Sequence, residues 1–186
     1  SILIPQALAL LSENARRKLA VTQQCRAEDL EAARAAYAGS GITPELAPFF
    51  RDMPARLAAA SLVISRSGAS TTAELLAAGR PAILVPYPHS ADDHQSANAQ
   101  ALAAVGAGWI MPQATLTPES LARRLAELID NPATLTRAAH CALAAARPDA
   151  AERLADLVEE NLSGRAAPSP PAAAPPRHLL PREAAE

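Results

Sequence analysis

Ser61-Leu62-Val63-Ile64-Ser65-Arg66-Ser67-Gly68-Ala69-Ser70-Thr71-Thr72-Ala73-Glu74-Leu75-Leu76-Ala77-Ala78-Gly79 reads as a strand, a turn and a helix in direct succession. Leu62-Val63-Ile64-Ser65 is an apolar, β-branched run of strand length. Residues 66–70 form a polar turn around one glycine. Residues 71–78 predict a helix closed by Gly79, the residue that best tolerates the left-handed backbone at a helix end. The pattern then repeats. Pro81 starts a second apolar strand, Ala82-Ile83-Leu84-Val85, which stops at Pro86. A polar loop over residues 87–93 leads to a helix over residues 94–105, Gly106 and Gly108 end it, and Trp109-Ile110-Met111 is a third strand.

The flanks carry the same alternation. Upstream, a helix is predicted over residues 4–11, a short strand within 18–23, a helix over 27–38 with Leu30, Ala33 and Tyr37 on one face, a strand over 45–50 and a short helix over 55–60. Downstream, Thr117-Pro118-Glu119 sets a hydroxyl at the N-cap, proline at the first helical position and an acid near the positive end of the dipole. Leu121, Leu125, Leu128 and Ile129 line one face of that helix, Asn131-Pro132 restarts the helical path, and residues 151–162 form a last amphipathic helix with Leu154, Leu157 and Val158 expected inward. Strands of this type between helices predict an α/β fold, a Rossmann-like parallel sheet with helices on both faces. One domain is expected over residues 1–162, followed by a disordered Pro/Ala-rich tail over 163–186.

Composition narrows the function classes. A chain of 186 residues, 49% apolar and with net charge -2, has ordinary globular composition and lacks the concentrated Lys/Arg surface that nucleic acid requires. Cys25 and Cys141 lie far apart without metal-ligand spacing and read as free thiols of a reducing compartment. No stretch approaches the roughly 18 apolar residues of a membrane span. The chain opens on Ser1-Ile2-Leu3-Ile4-Pro5, without an initiator Met and on what looks like the middle of a domain, and so reads as a fragment.

Two polar segments follow successive strands and therefore face one rim, where parallel sheets bind ligands. The first, Ser67 to Glu74, places free backbone N–H groups and a helix dipole at a strand end, which is an anion site suited to a diphosphate. Gly68 and Ala69 allow close backbone approach, Ser70, Thr71 and Thr72 offer hydroxyls, and Glu74 can accept two hydrogen bonds from a ribose diol. The same residues would also serve as a plain capped helix start. The second, Pro86 to Asn98, concentrates acids, amides and imidazoles that suit sugar hydroxyls, with Gln95 and Asn98 in the first turn of a helix; capping is the alternative role of Asp92 and Asp93. His89 and His94 straddle a loop and a helix start rather than sharing a helix face, so no metal is expected, and no nucleophile-base pair or cofactor motif stands out.

Taken together, Phe49-Phe50-Arg51-Asp52-Met53, the segment from Ser65 to Glu74, Gly79-Arg80-Pro81-Ala82-Ile83-Leu84-Val85-Pro86 and Asp92-Asp93-His94-Gln95-Ser96-Ala97-Asn98-Ala99 resemble the MurG-like family of GT-B glycosyltransferases. The resemblance implies the C-terminal half of a GT-B fold that holds UDP-GlcNAc while GlcNAc passes, with inversion, to a lipid-linked muramoyl pentapeptide in peptidoglycan synthesis. It implies Phe50, beside Phe49, at the uracil, Ala69, Ser70, Thr71 and Thr72 at the diphosphate, and Ser67, Gly68 and Ala73 beside them in the UDP-GlcNAc site. Glu74 would lie at the ribose, and Gln95, Asp93 and Asn98 at the GlcNAc. It implies no catalytic residue, metal or cofactor within this chain, and an acceptor site on an N-terminal domain absent from it. Peripheral attachment to the cytoplasmic face of the bacterial inner membrane is also implied. Two other readings stay open: a non-catalytic UDP-GlcNAc-binding subunit of a split transferase, and a UDP-GlcNAc epimerase-like fragment.

Overall fold

In the computed structural model, which describes residues 2–162 and only the backbone at Ala91, short parallel strands alternate with helices. The described chain falls into two units, one running to Arg147 and one from Pro148 onward. The first contains strands β1 (Thr22–Gln24), β2 (Glu45–Ala47), β3 (Val63–Ser65), β4 (Ala82–Leu84) and β5 (Gly108–Ile110). Its helices are α1 (Leu3–Ala9), α2 (Glu13–Arg16), α3 (Leu30–Tyr37), α4 (Met53–Ala59), α5 (Ala69–Ala77), α6 (His94–Ala104), α7 (Pro118–Asp130) and α8 (Pro132–Ala145). β1 and β2 pair in parallel, and β3, β4 and β5 form a parallel sheet in that order with Ile64, Ile83 and Trp109 in one row.

The central strand shows why its sequence is apolar without interruption. Successive side chains of a strand point to opposite faces, and here both faces are covered. Ile83 joins a cluster with Leu8, Tyr37, Leu121, Leu125 and Leu128, whereas Ala82 and Leu84 join Leu75, Leu102 and Ala142. All three β4 side chains are fully buried, as a parallel strand between two helical layers requires. Leu46 of β2 packs on the first cluster beside Ile64 and Trp109, so both groups of strands share that core.

Local signals set the helix ends that matter for the site. Gly79 adopts φ +65, its N–H bonds the Leu76 carbonyl at 3.0 Å, and the Arg80 N–H reaches the Leu75 carbonyl at 2.8 Å. This Schellman arrangement turns the chain from α5 into β4. At α7 the Thr117 hydroxyl accepts from the Ser120 N–H at 3.1 Å and the Ser120 hydroxyl accepts from the Thr117 N–H at 2.9 Å, closing a capping box in front of Pro118.

Tyr37 is buried where α3 meets β1, and its hydroxyl donates to Gln23 Oε1 at 2.7 Å. Burial, and secondarily the nearby Cys25 thiol, push its pKa up to about 12. Because the folded value is raised, the contribution of the neutral phenol is complete below the ordinary tyrosine pKa of about 10 and is lost as pH climbs toward 12. Tyr37→Phe should cost about 1 kcal/mol at neutral pH and abolish this alkaline loss; urea unfolding at pH 7 and above pH 10 checks both.

Several predicted elements shift. The strand expected to continue to Phe50 stops at Ala47, because Pro48 offers no N–H to a ladder. The strand expected within residues 18–23 pairs only from Thr22, while Leu19 and Val21 contribute core contacts instead. The helix expected over 27–38 begins as a 3-10 turn at Ala27–Asp29. The short helix α2, capped by the Ser12 hydroxyl, adds an element to those expected. The second unit contains, among its described residues, one helix, α9 (Ala150–Leu162). Leu154, Leu157 and Val158, expected inward, are exposed on it, since no second described element of this unit supplies a layer for its apolar stripe. The tail expectation for 163–186 lies outside the described residues.

Candidate functional site

Because β3, β4 and β5 run in parallel register, the segments that leave their carboxyl ends share one edge. α5 begins at Ala69, two residues earlier than predicted, with Gly68 as N-cap at φ -62 and ψ 153. No side chain among the described residues caps this end, so the first backbone N–H groups of α5 are left for a ligand or solvent. Gly68 is not required by the fold. Its φ is ordinary, and a methyl group added there would meet only the Thr71 hydroxyl, at 3.7 Å.

The residues expected around the diphosphate divide into two kinds. Ala69, Ser70, Ala73 and Glu74 are exposed and Thr71 is half-buried. Thr72 is buried, its hydroxyl within hydrogen-bond distance of the Gly68 and Ala69 carbonyls at 3.1 and 3.0 Å. Ser67 is fully buried, and its hydroxyl donates to the Gln95 carbonyl at 2.7 Å while its own carbonyl accepts from Asn98 Nδ2 at 3.0 Å. Ser67 and Asn98 therefore stitch the two loops together, and Thr72 fastens the first turn of α5.

The loop after β4 reaches α6 through Asp92 and Asp93, both left-handed at φ 47 and 52. Aspartate tolerates that region better than most side chains. Asp93 then accepts from the Ser96 hydroxyl at 2.6 Å. Gln95 is half-buried, and its Oε1 accepts the Tyr87 N–H at 3.0 Å.

Arg66, which sequence reasoning misses, joins the three strand ends. Its Nη1 donates to the Val85 and Pro86 carbonyls, both at 3.1 Å, and its Nη2 donates to Gln113 Oε1 at 2.7 Å beyond β5. The only sequence signal for it is a long cation placed directly after a strand.

Phe50 follows β2. Its ring is buried beneath the Arg56 guanidinium, 3.9 Å from carbon to centroid, whereas Phe49 is 67% exposed. Arg56 also bonds Glu45 and Asp52, and these bonds hold both carboxyls below the usual range. Sequence reasoning misses Arg56 as well, since its partners become visible only after folding.

Comparison with known proteins identifies the family of the chain. The profile of the glycosyltransferase family 28 C-terminal domain matches residues 1–154. A Rhodospirillum rubrum protein named UDP-N-acetylglucosamine–N-acetylmuramyl-(pentapeptide) pyrophosphoryl-undecaprenol N-acetylglucosamine transferase is 61% identical over 169 residues, which are 91% of this chain and 44% of that one. A Rhodospirillum centenum protein of the same name is 58% identical, over 84% of this chain and 41% of its own. The crystal structure of Acinetobacter baumannii MurG superposes with a TM-score of 0.77 at 38% identity, covering 84% of this chain and 44% of that one. The glycosyltransferase VinC shares the fold, with a TM-score of 0.62 at 20% identity over 88% of this chain and 38% of that one. The chain thus spans less than half the length of the curated relatives it matches.

Proposed function

Because the chain belongs to the glycosyltransferase family 28 C-terminal domain family, we propose that it is the donor-binding part of an inverting transferase that moves GlcNAc from UDP-GlcNAc to a lipid-linked muramoyl pentapeptide. The observation that carries this reading is the uncapped start of α5 behind a glycine that the fold does not need. Bare N–H groups and the positive end of a helix dipole match a diphosphate, and a missing Cβ lets its oxygens come close. Resemblance to the named relatives supplies the donor and acceptor.

The residues take roles along the ligand. The backbone at Phe50 and the exposed ring of Phe49 receive the uracil, and the first turn of α5 from Gly68 to Ala73 receives the diphosphate. Glu74 takes the ribose diol, and Gln95 with Asp93 takes the sugar hydroxyls. Ser67 and Asn98 serve indirectly, by fixing one loop against the other.

In the transfer, the acceptor hydroxyl oxygen bonds to the anomeric carbon as that carbon's bond to the diphosphate oxygen breaks, with inversion. The α5 terminus stabilises the negative charge gathering on the departing UDP, and the remaining contacts hold the sugar in line. No residue of this chain is assigned the acceptor's proton. We assign acceptor binding and peripheral attachment to the inner face of the bacterial membrane to the portion of the transferase outside these 186 residues.

Gly68→Ala tests the reading. Unfolding stability should stay within about 0.5 kcal/mol of wild type, while affinity for UDP falls about fivefold, a ~1 kcal/mol loss. Equal UDP affinity in a folded Gly68→Ala chain would remove the diphosphate from this turn.

A further inference from the structure

Arg56 lies on α4, one turn beyond Asp52, and its guanidinium meets three groups at once. Nη1 and Nη2 donate to the two Glu45 oxygens at 2.6 and 2.8 Å, a fork shared by guanidinium and carboxylate. Nε donates to Asp52 Oδ1 at 2.8 Å. Its plane covers the Phe50 ring at 3.9 Å. One cation therefore ties the first residue of β2, the loop after it and the ring in the middle of that loop.

An isolated surface ion pair contributes little, but a bidentate pair sharing its cation with a second carboxylate and a ring is the case in which geometry counts. Without the guanidinium, Phe50 would lose its cover and the carboxylates of Glu45 and Asp52 would lose their common partner. The loop of residues 49–52 would then be free to sample other conformations. A site that reads a base through backbone groups depends on their being held in place before the ligand arrives.

We propose that Arg56 is a positioning residue for nucleobase recognition, holding the 49–52 loop in the conformation that offers its backbone to a uracil and turns Phe49 outward. This rests on the reading that the loop takes the base. Lysine cannot replace arginine here, since it keeps the charge but lacks both the fork and the stacking plane.

The test is titration of the chain, of Arg56→Ala and of Arg56→Lys with UDP, CDP and inorganic pyrophosphate, with a thermal melt of each. Both variants should bind UDP about tenfold more weakly, a ~1.4 kcal/mol loss, and bring the UDP-to-CDP affinity ratio close to one, with pyrophosphate affinity within twofold of wild type. Unchanged UDP affinity overturns the proposal, and so does a parallel loss for all three ligands at a constant ratio, the pattern of a merely structural contact. If Arg56→Ala melts below the titration temperature, Glu45→Gln weakens one arm of the clamp and should lower the ratio about threefold; a wild-type ratio there overturns the proposal. A wild-type chain that binds pyrophosphate but shows no preference for UDP over CDP overturns the base-loop reading itself, and the proposal with it.

Discussion

Gly108→Ala is expected to destabilise the chain by about 3 kcal/mol, although it adds a single methyl group. Gly108 opens β5 opposite Ala82 of β4. A Cβ there would stand 2.3 Å from the Ala82 carbonyl oxygen, 3.2 Å from its carbon and 2.8 Å from Leu102 Cδ2. The nearest obstacle is backbone, and it has no room to retreat. The Ala82 N–H is bonded to the Ala107 carbonyl at 3.2 Å, and on the other side the Val63 N–H is bonded to the Pro81 carbonyl at 3.0 Å. Leu102 is 2% exposed and cannot swing outward. Gly39 and Gly41 make the contrast, because they need glycine for their positive φ, and a methyl group on either would meet nothing within 4 Å. Urea unfolding should show a lower midpoint with an unchanged slope; a wild-type midpoint would mean that the spacing of β4 and β5 is wrong. Leu102 belongs to α6, which also carries Gln95 and Asn98, so the variant should disturb the loop between β4 and α6 as well.

Much of this architecture is legible in the sequence because its signals are local. The apolar run from Ala82 to Leu84 announces a strand covered on both faces, and the Thr117-Pro118 start and the Gly79 stop each act through neighbours within a few residues. The turn between β3 and α5 is legible for the same reason: strand, glycine and helix are contiguous. What escapes depends on tertiary approach. Arg56 meets Glu45 across 11 positions, and Arg66 meets Gln113 across 47. Phe49 and Phe50 look alike in sequence, and only the fold separates them, one ring buried beneath a guanidinium and the other exposed. Ser67 looks like a ligand donor because it stands beside Gly68, yet its hydroxyl and carbonyl are both spent on the neighbouring loop. The stripe of α9 carries a core-like pattern that no other described residue of its unit covers, so amphipathicity alone does not predict burial.

The largest functional effect is expected at Glu74. It lies on the exposed side of α5, after the turn proposed to receive the diphosphate, and no core contact depends on it. A carboxylate accepting both hydroxyls of a ribose makes charge-assisted bonds, worth about 1.5–3 kcal/mol. Glu74→Ala should therefore weaken nucleotide binding roughly 10- to 150-fold, while stability changes by less than about 0.5 kcal/mol, as for other exposed substitutions. Glu74→Gln keeps one acceptor and should fall between the two. Inorganic pyrophosphate, which has no ribose, should bind all three chains alike.

Binding of a uridine diphosphate sugar at the rim formed by α5 and the β4 loop is the premise on which every proposed residue role depends. It is tested most directly by calorimetric titration of the chain and of Glu74→Ala with UDP-GlcNAc and with UDP. Both ligands should bind the wild-type chain, and each should lose at least tenfold, ~1.4 kcal/mol, in a variant that melts at the wild-type temperature. Equal affinities in the two chains, or no binding to a folded wild-type chain at millimolar ligand, would contradict it.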